Sequence, residues 1–183
     1  VVTGADVRAD AREAVVWAAL DEVPDPEIPT ISVVELGVIR GFRFERAADG
    51  RERLAVDLLP TFVGCPAIEM MRAQVGERLR GLDLAEEVTV ELSFAEPWTS
   101  DRITPEGRAK LERSGFAPPP WVGAGQGSLL PTLDLLPMTR EEVACPHCGS
   151  TRTTLENAFG PTLCRSIYHC DACHEAFEQF KAV

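Results

Sequence analysis

Residues 145–149 read Cys145-Pro146-His147-Cys148-Gly149, and residues 170–173 read Cys170-Asp171-Ala172-Cys173. Each is a Cys-x-x-Cys knuckle that aims two sulfurs at one point, and the chain between them is long enough for a β-hairpin. Four thiolates suit tetrahedral zinc, so Cys145, Cys148, Cys170 and Cys173 are read as the ligands of a structural zinc ribbon over residues 143–183. Oxidised cysteine pairs or an iron-sulfur cluster are the competing readings. A module of this size buries too little apolar surface to offset its chain entropy, so metal binding supplies much of its folding free energy. Cys164 is an extra thiol inside the hairpin. It could replace a ligand, sit buried as a small apolar residue, or serve an iron centre. His147, His169 and His174 neighbour the ligands, and with four thiolates already present they read as surface groups or as supports for the ligands.

Upstream of the ribbon, Pro118 to about Met138 is loaded with proline and glycine and carries no sustained period. Residues 117–142 are therefore read as a linker or arm. Its Trp121, Leu129, Leu130, Leu133, Leu135 and Leu136 are apolar enough to suggest that it packs against the main domain or a partner chain. Residues 6–116 form that main domain. Val7, Ala11, Ala14, Val15, Ala18 and Ala19 recur at helical spacing over 6–23, with Trp17 and Leu20 extending the face. Pro24, Pro26 and Pro29 then impose a stiff loop carrying Asp25 and Glu27. Ile31 to Ile39 and Gly41 to Glu45 are rich in β-branched and aromatic residues, and Ala48-Asp49-Gly50 supplies a turn before Arg53 to Leu59; together they read as a β-hairpin. Ile68, Met71, Val75, Leu79 and Leu82 predict a second helix, and Val88 to Phe94 a half-buried strand. Thr104 as cap with Pro105 in the first turn opens a third helix that ends near Gly115. The order is α-β-β-α-β-α, a small α/β (α+β) domain followed by a zinc-ribbon β module.

Cys65 directly precedes Pro66, and because proline favours the first helical position, Cys65 is expected at the N-cap. There the helix dipole and unpaired amides favour thiolate, making it a candidate nucleophile or soft-metal ligand; a buried core cysteine is the bland alternative. Glu69, one turn on, could join a metal site or be solvated. Asp25 and Glu27 could supply hard oxygen ligands if their loop folds towards Cys65, or simply form turns. Every histidine lies at position 147 or later, which argues against a Cys-His hydrolase.

The combination Asp25-Pro26-Glu27-Ile28, Ser32-Val33-Val34-Glu35-Leu36-Gly37-Val38, and Pro60-Thr61 with Gly64-Cys65-Pro66 resembles the iron-sulfur cluster assembly domain of the SufT type, over roughly residues 10–115. With Pro97-Trp98-Thr99-Ser100-Asp101, Gly115-Phe116-Ala117-Pro118-Pro119, Phe159-Gly160 and Phe177-Glu178-Gln179-Phe180-Lys181 added, the chain is similar along nearly its full length to the PaaD family associated with phenylacetyl-CoA epoxidase. Phe62-Val63 stands where that family's tyrosine-serine pair is expected, and Arg102 where an aromatic is usual. The resemblance implies a functional surface of Asp25, Glu27, Thr61 and Cys65, with transient iron or iron-sulfur cargo. It also implies an accessory role in aerobic phenylacetate degradation, maturing or maintaining centres of the oxygenase or reductase subunits rather than oxidising substrate. A non-catalytic scaffold that binds epoxidase components through ribbon and arm is the other reading. The family's small domains often self-associate, which points to a homodimer.

Composition bounds the remainder. With 29 acidic and 18 basic residues the net charge is −11, which repels nucleic acid and anionic membranes. The longest apolar run, Ala14 to Leu20, is too short to cross a bilayer, and five of six cysteines lie between 145 and 173. A reducing, cytoplasmic setting is expected. The sequence offers neither the carboxylate-histidine pairs of a di-iron bundle nor a flavin or nucleotide loop.

Overall fold

A computed structural model describes residues 4–61, 65, 67–123 and 142–182, with side chains from residue 11 onward. The expected order is present: α1 (Gly4–Asp21), β1 (Ile39–Arg46), β2 (Glu52–Leu58), α2 (Ile68–Arg80), β3 (Glu87–Leu92) and α3 (Pro105–Arg113). A short β4 (Phe116–Ala117) and the ribbon strands β5 (Thr153–Asn157), β6 (Arg165–Cys170) and β7 (Ala176–Phe180) follow. The chain divides into two units, Val1–Trp98 with Arg102–Gly107, and Thr99–Asp101 with Arg108–Val183.

In the first unit the sheet order is β1-β2-β3, antiparallel then parallel. Leu54, Val56, Leu58, Val16, Leu20, Met71, Val75 and Leu79 form its core, each 0–1% exposed. One row across the strands aligns Glu45, Arg53 and Glu87. Arg53 lies 3.6 Å from Glu45 and 3.0 Å from Glu87, a cross-strand charge ladder of the kind that stabilises a solvated sheet face. α1 faces inward differently from expectation. Val16, Ala19, Leu20 and Val23 are buried, whereas Ala11, Ala14, Ala18, Val15 and Trp17 are exposed. Alanine gains little from either environment, so a face drawn from alanines points weakly.

Residues 31–38 correct a second expectation. They are consecutive turns rather than a strand, and only from Ile39 does the chain pair in the hairpin. Ser32 and Glu35 bond reciprocally, the Glu35 amide to Ser32 Oγ at 3.0 Å and the Ser32 amide to Glu35 Oε2 at 2.9 Å. Ser32 Oγ also donates to Asp21 at 2.6 Å. This is capping-box chemistry, which curls the backbone locally. Ile31, Val33, Leu36 and Val38 are nevertheless buried, so β-branched composition here reflects burial and not pleating. Gly37 (φ 71) closes the segment, and a Cβ there would lie 2.3 Å from the Arg102 carbonyl oxygen. Arg102, in the 3-10 turn Ser100–Arg102, donates from Nε to the Gly37 carbonyl at 3.0 Å. β3 ends at Leu92, leaving Phe94 72% exposed instead of half-buried on the strand.

In the second unit the sheet order is β4-β7-β6-β5, so Phe116–Ala117 forms an edge strand parallel to β7. The start of the arm is fastened here. Arg108 donates to the carbonyls of Pro119 and Ser100 and lies 3.7 Å over the Trp121 ring, while the amides of Val122 and Gly123 each donate to Asp101 at 2.8 Å. The remainder of the expected arm, with Leu129, Leu130, Leu133, Leu135 and Leu136, lies outside the described residues.

Candidate metal centre

The two knuckles are built alike. The Gly149 amide donates to the Cys145 carbonyl at 2.8 Å and the His174 amide to the Cys170 carbonyl at 2.9 Å. Gly149 (φ 73) and His174 (φ 62) occupy the same left-handed position four residues after the first cysteine of each pair. The Cys145 amide donates to Ser150 O and the Cys170 amide to Glu175 O, both at 2.9 Å, pinning each knuckle to the chain that follows it. β6 carries Cys170 at its end, and β5 and β7 hold β6 on either side.

The sulfurs converge. Cys145 Sγ lies 3.7 Å from Cys173 Sγ, Cys148 Sγ lies 3.6 Å from Cys170 Sγ, and all four fall within 4.8 Å of one another. Zinc–thiolate bonds of about 2.3 Å place tetrahedral sulfurs about 3.8 Å apart, so the quartet fits zinc in both donor type and spacing. Backbone amides of Cys173 and Ala172 pull the Cys170 thiol down to about 6 despite desolvation. At Cys173 the Glu175 amide acts the same way, but desolvation and the neighbouring sulfurs prevail and push the thiol up to about 12. Crowding four sulfurs is thus costly without a cation, which is the electrostatic reason for such a site to take one. Below it lies a small core of Ala117, Val143, Cys145, Cys170 and Phe177, with Tyr168 stacked on Phe177 at 5.7 Å. Cys164 stands apart from the quartet; it is buried, with its Sγ 3.0 Å from Thr162 Oγ1. His147 and His174 are exposed and His169 half-buried.

The other sequence-predicted residues belong to the first unit. β2 and β3 are parallel and joined through α2, so the loop after β2 lies at the carboxyl end of both strands, where open α/β sheets commonly place their sites. Thr61 is buried and Cys65 half-buried on that loop. Cys65 is not the N-cap: α2 begins at Ile68, Ala67 is its cap residue, and the Ile68 amide donates to the Cys65 carbonyl at 3.3 Å. The extra turn separates Cys65 from the first helical amides. Glu69 is exposed and paired with Arg72 at 3.0 Å. Asp25 is 6% exposed, and its Oδ1 accepts from the amides of Glu27 (2.9 Å) and Ile28 (2.7 Å), fixing the proline-rich loop. Among the described residues the ribbon quartet is the one group of three or more His, Cys, Asp or Glu donors that converges. The Ser32–Glu35 bonds and the Arg108–Asp101 ion pair (3.9 Å) emerge only in the structure, although the first has a readable signal in Ser-x-x-Glu.

The chain thus carries a small sheet domain, with a loop at its parallel strand ends, and a four-thiolate ribbon of the zinc-binding class. The model described as "Iron-sulfur cluster assembly protein" matches residues 12–92, and that described as "PaaD zinc beta ribbon domain" matches residues 134–181. A protein of Escherichia coli (strain K12), named as a subunit of a "Putative 1,2-phenylacetyl-CoA epoxidase", is 34% identical over 168 residues, 92% of each chain. The chain belongs to this PaaD family of phenylacetyl-CoA epoxidase subunits. It is also 26% identical over 95 residues, 52% of this chain and 88% of the other, to the "Fe-S protein maturation auxiliary factor YitW" of Bacillus subtilis (strain 168). A crystal structure of a "Domain of Unknown Function DUF59" from Bacillus anthracis covers 56% of this chain and 92% of its own at 22% identity and a TM-score of 0.49. No helix among the described residues is long and apolar enough to cross a membrane.

Proposed function

We propose that this protein is an accessory subunit of the phenylacetyl-CoA epoxidase system in aerobic phenylacetate catabolism, and that it matures or maintains iron-sulfur or iron centres of the oxygenase or reductase. The observation that carries the reading is the presence of both module matches on one chain that aligns over 92% of its length with an epoxidase subunit. In this reading residues 6–116 are the working domain, 117–142 the arm and 143–183 the ribbon, in the cytoplasm. Cys65 holds iron or a cluster as passing cargo, Asp25 and Glu27 assist as hard ligands or proton acceptors, and Thr61 and Glu69 belong to the same cluster-handling surface. Zinc on Cys145, Cys148, Cys170 and Cys173 keeps the ribbon folded so that it can dock a client; zinc supplies cross-linking rather than redox chemistry.

The test is the iron content of oxygenase and reductase components produced beside the wild-type chain, Cys65→Ser or Cys170→Ser. Loss of client iron with Cys65→Ser, the variant still bound to the client, supports maturation. One observation favours a second reading, a scaffold role: the converged donor group among the described residues is in the ribbon, not around Cys65. Client iron unchanged by Cys65→Ser, with association abolished by Cys170→Ser, establishes the scaffold and refutes the maturation role.

A further inference from the structure

The turn between β5 and β6 lifts two large apolar side chains into solvent, Phe159 at 63% and Leu163 at 56% exposure. Its backbone is fastened from several directions. The Phe159 amide donates to Asn157 Oδ1 (3.0 Å), the Gly160 amide to Arg165 O (2.8 Å) and the Arg165 amide to Thr162 O (3.2 Å). From β7's end, the Lys181 amide donates to Cys164 O and its Nζ to Leu163 O, both at 2.9 Å. Gly160 is pressed so closely on Arg165 that a Cβ would meet the Arg165 Cβ at 3.1 Å. A turn braced this way holds Phe159 and Leu163 outward and does not need ordering on contact, which is the property of a binding anchor.

Charge narrows the partner. Lys181 Nζ sits 4.8 Å from the Phe159 ring centroid, so an ammonium and the two apolar groups form one tip. Among the described residues Lys181 forms no ion pair: its Nζ donates to the Leu163 carbonyl, while Glu178 is paired with Arg165 at 2.9 Å. On a chain of net charge −11, a cation left without a carboxylate beside an exposed aromatic and leucine is matched by an acidic edge on another molecule. We infer that Phe159, Leu163 and Lys181 are the docking tip through which the ribbon engages an epoxidase component, whose surface offers an apolar pocket edged by a carboxylate. This rests on the docking role proposed above for the ribbon.

The test titrates purified oxygenase and reductase components from the same organism into the full zinc-loaded chain by calorimetry. The variants are Phe159→Ser with Leu163→Ser, Lys181→Glu, Lys181→Met, and Val15→Ser as an exposed apolar control in the other unit. The tip double variant and Lys181→Glu, each retaining zinc, weaken binding by about tenfold or more, Lys181→Met by less, and Val15→Ser leaves it unchanged. Tip variants that keep zinc and bind like wild type sink the tip while leaving ribbon docking intact. A wild-type chain that binds neither component removes both. Sedimentation of the chain alone identifies a second copy as occupant, and so overturns the inference, if self-association vanishes in the tip variants.

Discussion

Substituting Gly37 by alanine separates two costs that are usually confounded. Gly37 and Gly50 both lie in the first unit with positive φ, 71° and 86°, but a Cβ at Gly50 meets nothing within 4 Å whereas one at Gly37 lies 2.3 Å from Arg102 O and 2.7 Å from its carbonyl carbon and Cβ. The left-handed conformation costs an alanine about 1–2 kcal/mol, partly offset by a stiffer unfolded chain, so Gly50→Ala is expected to lose about 1 kcal/mol. Gly37→Ala must also move the Arg102 backbone by about 1 Å. That strains the Arg102 Nε to Gly37 O bond (3.0 Å) and the neighbouring Trp98 Nε1 to Leu36 O bond (3.1 Å). Overpacking at about 1–3 kcal/mol, with a charge-assisted hydrogen bond at about 1.5–3 kcal/mol partly lost, brings the total to about 4 kcal/mol. Urea unfolding followed by tryptophan fluorescence reads this unit, because Trp98 is 2% exposed against 40% for Trp17 and 61% for Trp121. With a slope of about 2 kcal/mol/M the midpoint falls by about 2 M for Gly37→Ala and about 0.5 M for Gly50→Ala. Asparagine sharpens the comparison: it tolerates positive φ but not the clash, so Gly50→Asn recovers most of the loss and Gly37→Asn does not. Equal midpoints for Gly37→Ala and Gly50→Ala would refute the claim that close packing on Arg102 holds residues 31–38 in place.

Removing zinc with a strong chelator, or replacing Cys170 by serine, is expected to abolish the near-ultraviolet signal of Tyr168 stacked on Phe177; elemental analysis should give about one zinc per wild-type chain and none in the variant. His174→Gly is expected to raise the ribbon's resistance to chelator-driven unfolding by about 1 kcal/mol, since it frees a left-handed residue that Gly149 already supplies in the other knuckle. The Arg12 guanidinium, bonded to Glu52 at 3.0 Å, holds that carboxyl below its ordinary 4.5. A depressed carboxyl stabilises the fold above its unfolded value and loses that contribution as pH falls, so Arg12→Gln is expected to be less stable than wild type at pH 6, with the gap narrowing in urea titrations as pH falls below 4.5. A gap that persists in acid would assign the role of Arg12 to its bond to the Leu84 carbonyl (2.6 Å) and its packing over Phe44 instead.

The element order is legible because its punctuation is chemical: Asp49-Gly50 in the hairpin turn, Thr104 capping the Gly107 amide at 3.0 Å, and prolines ending α1. The ribbon quartet is legible because thiolate spacing is dictated by the metal. Local pattern fails where longer-range contacts decide. The buried face of α1 is Val16, Ala19 and Leu20, on the helix that packs against α2, and not the alanine periodicity. Residues 31–38 have strand composition but curl because Ser32 and Glu35 satisfy each other's amides. Cys65 stands two residues further from α2 than the proline predicts, because the rule that proline opens a helix ignores the turn closed by the Ile68 amide on the Cys65 carbonyl. β4 is two residues long and paired with a strand some sixty positions away, which no local pattern announces.

That short strand bears on how the protein could have arisen. The ribbon's sheet takes its edge from Phe116–Ala117, at the start of the arm, so the sheet is not contained in the segment that carries the four cysteines. A recombination event cutting within the arm would separate β7 from its neighbour and expose a row of backbone amides and carbonyls on both products. A graft meant to transplant the ribbon with its full four-stranded sheet must therefore start at Phe116 and not at the first cysteine.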